Sequence, residues 1–199
     1  VSERNIDWSK GLLPAVVQDA DTAQVLMLGY MNEEAWAHTL ATGHVTFFSR
    51  SKQRLWTKGE SSGHVLALVS HAIDCDGDTL LVLARPKGPT CHLGDVSCFG
   101  DFPPPALSFL GDLSRLIETR ERERPAGSYT TKLFEAGVRR IAQKVGEEGV
   151  ESALAAVAQD EEALLGEAAD LVYHLTVLLR ARGLALGDVA ALLRKRHGG

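Results

Sequence analysis

Three aspartates, Asp74, Asp76 and Asp78, alternate with a thiol and a glycine in "IDCDGD", residues 73–78. In an extended chain side chains alternate sides, so the spacing predicts three carboxylates on one face and Cys75 on the other. Like charges this close repel unless a cation sits among them; a solvated acidic turn is the competing reading. An EF-hand loop is excluded, because its sixth position needs glycine and its twelfth glutamate, and these are Thr79 and Arg85. Cys75, Cys91 and Cys98 fall within 24 residues, the last two in "GPTCHLGDVSCF". Their neighbours are Thr, His, Gly, Asp and Ser, poor company for a core, although a free cysteine is also a good small hydrophobe. Three thiolates suit zinc and leave a fourth position for water; His92 as a fourth ligand would close the site and make it structural. The nucleobase-deaminase pattern, H-x-E with P-C-x-x-C, is absent.

A second set of acids lies on helical repeats. At 100° per residue, Ile141, Val145, Ser152 and Ala155 form an apolar-to-small stripe, with Glu148 in its middle and Glu151 at its edge. On the next helix Leu164, Ala168, Leu171, Leu175 and Leu178 form the stripe, with Glu167 beside it and Asp170 and His174 flanking it. Charged residues normally take the opposite face. A carboxylate facing a bundle core costs several kcal/mol unless neutralised or bound to a cation. The pattern therefore predicts Mg²⁺ between two facing helices. Pairing of these acids with Arg139, Arg140 or Lys144 is weighted less, because those bases are on the same helix.

The elements that must position these residues change character near the midpoint. "LPAVVQD", "QVLMLGYM", "HVTFFS", "GHVLALVSHAI" and "TLLVLARP" read as strands. "EEAWAHTLAT" reads as a helix capped by Asn32 and ended by Gly43. The prolines of "GDFPPPA" can continue neither a helix nor a central strand, so the boundary is placed there, giving domains 1–104 and 105–199. Beyond it four helices are expected, over residues 107–124, 130–159, 160–182 and 187–196, the third stopped by Gly183. The fold class is α+β: a strand-rich metal-binding domain, then an all-α bundle. A net charge of −5 makes nucleic acid a poor default partner. No run of about 18 apolar residues suggests a membrane span. The polar N-terminus does not read as a signal peptide, and three clustered cysteines suggest a reducing compartment; the expected location is the cytoplasm.

"GLLPAVVQD", "VLMLGYMNEEA", "FFSRS", "LWTKGESSGH", "DCDGDTLL" and "GPTCHLGDVSCF", in this order over about residues 5–100, resemble phosphoribosyl-AMP cyclohydrolase of histidine biosynthesis. The resemblance implies zinc on Cys75, Cys91 and Cys98, and magnesium on Asp74, Asp76 and Asp78. It also implies an obligate homodimer whose zinc site draws cysteines from both chains. Arg50, Ser51, Lys58 and Glu60 lie in its "SRS" and "KGE" segments and are expected to bind phosphate or purine. Trp56 either stacks on a base or belongs to the core. "GSYTTKLFEAGVRRIAQKVGEEGVESALAA" and "EAADLVYHLTVLL", within about residues 107–197, look like phosphoribosyl-ATP pyrophosphohydrolase, of the all-α nucleotide pyrophosphatase superfamily. The superfamily pattern, E-x-x-E then E-x-x-D, falls on Glu148, Glu151, Glu167 and Asp170, with Glu147 as an additional acid.

The two families occur fused in this order, which implies two successive hydrolyses. The C-terminal domain is expected to cut phosphoribosyl-ATP between its α- and β-phosphates, with Glu148 central and Lys132, Arg139, Arg140 and Lys144 either contacting phosphate or forming a solvated basic face. The N-terminal domain is expected to open the purine at N1–C6, with His92 as proton carrier or as a structural neighbour of Cys91. Two other classes stay open: a housekeeping nucleotide pyrophosphatase carrying a structural zinc module, and a non-catalytic dimerisation protein without zinc.

Overall fold

Strict alternation builds the first strand. In β1 (Leu13–Asp19), Leu13, Ala15 and Val17 are buried while their neighbours face outward, as a pleated strand with one face on a core requires. This structure, a computed structural model, describes residues 5–100 and 102–198. Strand β2 (Val25–Met31) returns antiparallel to β1. Asn32 accepts from the Ala35 amide and starts α1 (Glu33–Thr42), and Gly43 closes it, both as the sequence predicts. Strands β3 (Thr46–Ser49) and β4 (Arg54–Thr57) form a separate antiparallel pair. Strand β5 (Leu66–Ile73) and β6 (Leu80–Pro86) complete a four-stranded sheet of order β2-β1-β6-β5, in which β1 and β6 run parallel. Its core gathers Leu26, Met31, Trp36, Val45, Phe47, Leu66, Leu80 and Val82.

Two readings of the sequence need correction here. Strand β4 was not foreseen; it is four residues long and follows "RSKQ", whose polar run masks any alternation. "DCDGD" is not a strand: β5 ends at Ile73 and β6 begins at Leu80, so Asp74–Thr79 is the turn between them. Gly77 takes φ +78° there, the left-handed region that glycine enters without a Cβ penalty.

The second unit begins after a boundary between Phe109 and Leu110, a few residues beyond the prolines at which the sequence places it. It holds most of α2 (Ser108–Glu123), then α3 (Tyr129–Ala136), α4 (Val138–Ala158), α5 (Glu161–Ala181) and α6 (Leu186–Arg196). The helix expected over 130–159 is two helices. Gly137, at φ +83° and ψ 171°, leaves helical space and lets the chain turn between α3 and α4, so five helices replace four. Helices α4 and α5 pack along each other. Ile117, Leu133, Ile141 and Val177 form the core of this unit.

Candidate active sites

The β5–β6 turn is knitted by its own first acid. Asp74 Oδ1 accepts from the amides of Asp78 at 3.0 Å and Thr79 at 3.1 Å. Partial burial would raise its pKa, but these donors outweigh that and hold the carboxyl below the usual aspartate value. The turn brings oxygens of Asp74, Asp76 and Asp78 within 4.8 Å of one another, an all-oxygen donor set that fits a hard cation such as Mg²⁺. Alternation is not what gathers them. Cys75 Sγ lies 3.8 Å from Asp76 Oδ1, so thiol and carboxylates do not occupy opposite faces, and the two-faced strand is replaced by a folded turn.

Cys91 and Cys98 sit in the loop after β6. The Cys91 amide donates to Asp95 O at 3.0 Å, and the Leu93 amide points at Cys91 Sγ at 3.5 Å. The loop is tied to β2: the Cys98 amide donates to Leu26 O at 2.8 Å and Ser97 Oγ to Val25 O at 2.8 Å. Partial desolvation pushes the Cys98 thiol up, and the neighbouring Cys91 adds to this through its charge and a hydrogen bond. The two sulfurs are thus neighbours, a soft donor pair suited to zinc. Among the described residues of one chain, Cys75 does not join them in a group of three ligand atoms, nor does exposed His92.

Lys58 is 8% exposed, and its ammonium donates to His64 O at 3.1 Å. Burial lowers its pKa, against the pull of Cys98 and Cys91. This places Lys58 beside the cysteine pair. Glu60 pairs instead with Arg54, at 3.2 Å from Nη1 to Oε2, and that guanidinium holds its carboxyl below the usual range. Arg50 and Ser51 line an open cleft of about 600 Å³ with Met27, Tyr30, Phe47 and Trp56. The Arg50 guanidinium lies 4.0 Å above the Tyr30 ring, a cation–π contact. Trp56 packs on Phe47 and also walls the cleft, which unites the core and binding readings. Tyr30 and Arg54 are functional candidates that the sequence did not single out. Tyr30 was legible only as part of "LGYM", and Arg54 needed the three-dimensional pairing.

In the helical unit, oxygens of Glu148 and Glu151 on α4 and of Glu167 on α5 lie within 4.8 Å of one another. Glu148 is 4% exposed. Lys144 Nζ reaches Glu148 Oε1 at 2.6 Å and Glu147 Oε2 at 3.0 Å, and it is the main cause that keeps Glu148 ionised below its ordinary pKa. Glu167 moves the other way: burial raises it, followed by the charges of Glu151, Glu148 and Asp170. Carboxylates gathered this closely repel one another and favour a cation among them. Glu147 is turned to Arg140 at 3.4 Å, Lys144 and Gln143 rather than into the cluster, and Asp170 neighbours the cluster without joining its three. Same-helix pairing, discounted from the sequence, is what the structure contains. Lys132 is exposed on α3.

His174, 3% exposed, completes this wall. Its Nδ1 lies 2.8 Å from the Asp170 carbonyl, which can only accept, so Nδ1 carries the proton and Nε2 accepts from Tyr129 Oη at 3.0 Å. Nδ1 is also 3.6 Å from Glu148 Oε1.

Two family models match the two units in turn. Phosphoribosyl-AMP cyclohydrolase matches residues 27–100, and phosphoribosyl-ATP pyrophosphohydrolase matches residues 110–197. The chain belongs to both families. It is 71% identical over 194 residues to the histidine biosynthesis bifunctional protein HisIE of Xanthomonas axonopodis pv. citri, covering 96% of this chain and 93% of that protein. The HisIE proteins of Salmonella typhimurium and Escherichia coli K12 are 60% and 59% identical over 196 residues, covering 98% of this chain and 96% of each. The cyclohydrolase match covers the cysteine loop, the aspartate turn and the Arg50 cleft; the pyrophosphohydrolase match covers the whole glutamate cluster. The resemblance drawn from the motifs is therefore correct for both halves. A solitary pyrophosphatase with a purely structural zinc module does not account for the first match.

Proposed function

We propose that the chain performs two successive hydrolyses of histidine biosynthesis. The second unit hydrolyses phosphoribosyl-ATP to phosphoribosyl-AMP and pyrophosphate. The first unit opens the purine ring of phosphoribosyl-AMP at N1–C6. The observation that carries this reading is the placement of each family match on a unit with its own cluster of ligand-type side chains.

In the first unit Cys91 and Cys98, with Cys75 supplied across a homodimer, would hold zinc, and Asp74, Asp76 and Asp78 would hold magnesium. Bound zinc supplies the acidity that makes a water nucleophilic near neutral pH. Support for a shared site is that one chain brings only two of its thiols together. Arg50 and Ser51 bind phosphate at the cleft, and the Tyr30 and Trp56 rings offer faces for the purine. Lys58 stands near the thiols, its side-chain nitrogen held by the His64 carbonyl. His92, exposed beside Cys91, is free to carry a proton to N1 as the C6–N1 bond breaks.

In the second unit Glu148, Glu151 and Glu167, with Asp170 behind them, would hold magnesium, which when bound neutralises phosphate oxygens. Lys144 keeps Glu148 anionic and ready to bind. Arg140 on α4 and exposed Lys132 on α3 would receive phosphates. None of the described helices is long and apolar enough to cross a membrane, and we place the enzyme in the cytoplasm.

The test is to supply the zinc- and magnesium-loaded chain with phosphoribosyl-ATP alone and to follow pyrophosphate and the ring-opened product. Both should form. Pyrophosphate release with accumulation of phosphoribosyl-AMP would refute the ring-opening assignment.

A further inference from the structure

The ammonium of Lys10 sits inside the aspartate cluster. Its Nζ is 3.0 Å from Asp78 Oδ2, 3.3 Å from Asp76 Oδ2 and 3.4 Å from the Asp76 carbonyl. Two carboxylates and a carbonyl are a donor set that a hard divalent cation also takes. Lys10 is 66 and 68 residues away from these partners in sequence, so a local turn does not explain the contact. The segment before β1 delivers it. Lys10 ends a short 3-10 helix, Trp8–Lys10, capped by Asp7. The Asp7 amide donates to Gly77 O at 2.8 Å, and a Cβ on Gly77 would come within 2.7 Å of Asn5 O. The segment thus grips the β5–β6 turn through its backbone and places the ammonium among the acids.

We propose that Lys10 is a tethered counter-cation of the Asp74–Asp76–Asp78 cluster. It holds Asp76 and Asp78 together when no divalent cation is bound, and a divalent cation entering the cluster must displace it. The metal affinity of the turn is then set partly by the segment at Asn5–Gly11, and cation binding is coupled to release of that segment. Lys10 is a positioning residue here and touches no substrate. The inference rests on the magnesium reading of the three aspartates.

All three tryptophans, Trp8, Trp36 and Trp56, lie in the first unit, so Mn²⁺ quenching of tryptophan emission in the zinc-loaded full chain is the readout, and the part of it lost in Asp76→Asn reports this site. Lys10→Met should lower the Mn²⁺ midpoint roughly two- to five-fold, the scale of an exposed ion pair removed from competition. Lys10→Arg, which keeps the charge, should bind as the parent does. Metal-free Lys10→Met should melt lower than the parent, and Mn²⁺ should raise its melting temperature by more. Lys10→Gln provides a second neutral chain should the methionine variant fold poorly. An unchanged or higher midpoint in both neutral variants, while Asp76→Asn binds more weakly than the parent, overturns the role of Lys10. Parent-like quenching in Asp76→Asn refutes the aspartate metal site itself, and the inference with it.

Discussion

Lys144 stands three residues before Glu147 and four before Glu148, the two spacings that bring side chains together on a helix. One base therefore pairs with two acids, and the cluster is left with Glu148 ionised and Glu167 resisting ionisation. Glu148→Gln keeps a comparable helix former but removes an anionic donor. It should abolish most pyrophosphate release, while ring opening of supplied phosphoribosyl-AMP persists; an unchanged rate with phosphoribosyl-ATP would leave Glu148 only its ion pair. Lys144→Met tests the electrostatics. A carboxylate depressed in the folded state gives stability above its unfolded pKa, ordinarily 4.5, which is lost as pH falls through the folded value. Without Lys144 the folded value rises, so the acid limb of pyrophosphate release should move to higher pH. A profile that does not move would mean that another group sets that limb.

At the scale of elements, the β5–β6 turn decides what a run of alternating acids becomes. A strand would spread three side chains along one face at every second residue; a turn folds them back towards one point. Gly77 makes that possible, and alanine there meets both a positive φ and the Asn5 carbonyl. Gly77→Ala should destabilise the first unit by about 1–3 kcal/mol, seen as a lower melting temperature, and should reduce ring opening at low magnesium. Pyrophosphate release should be retained. An unshifted melting temperature would show that the turn relaxes without strain. Gly137 plays the corresponding part in the second unit: it ends α3, so that α4 can start in a new direction and lay Glu148 against α5.

At the scale of the whole molecule, two units with separate cores carry separate chemistry. Cys91→Ala should abolish ring opening and leave pyrophosphate release largely intact, with zinc content falling from about one per chain, the stoichiometry of three thiolates and a water. Loss of both activities in a folded protein would refute this independence. If Cys75 joins Cys91 and Cys98 across two chains, zinc retention should track dimerisation. Dilution below the dimer dissociation range should release zinc in parallel with loss of the dimer by sedimentation; zinc retained by monomers would place all its ligands in one chain.

Much of this protein is local information. Apolar alternation in Leu13–Asp19, the Asn32 cap with Gly43 after it, and the Asp160-to-Gly183 span of α5 depend on neighbouring residues, so sequence alone determined them, along with the order of the two halves and their families. Residue type also determined which side chains are metal donors. Tertiary structure decided which of them meet. Glu147 and Glu148 are adjacent in sequence, yet one turns to Arg140 and Lys144 while the other enters the cluster. Rotation by 100° per residue separates them, and the apolar stripe marks the azimuth of Glu148 as inside; what the packing of α4 on α5 adds is Glu167 as its partner. The strand β4, too polar before it to show a period, needs β3 as its partner. Lys10 among the aspartates, Arg54 on Glu60 and Lys58 beside Cys91 and Cys98 are electrostatic choices of the folded chain. They depend on which surfaces the folded backbone brings within a few ångströms; the Arg54–Glu60 pair spans six residues, but no short window along the chain contains the Lys10 and Lys58 contacts.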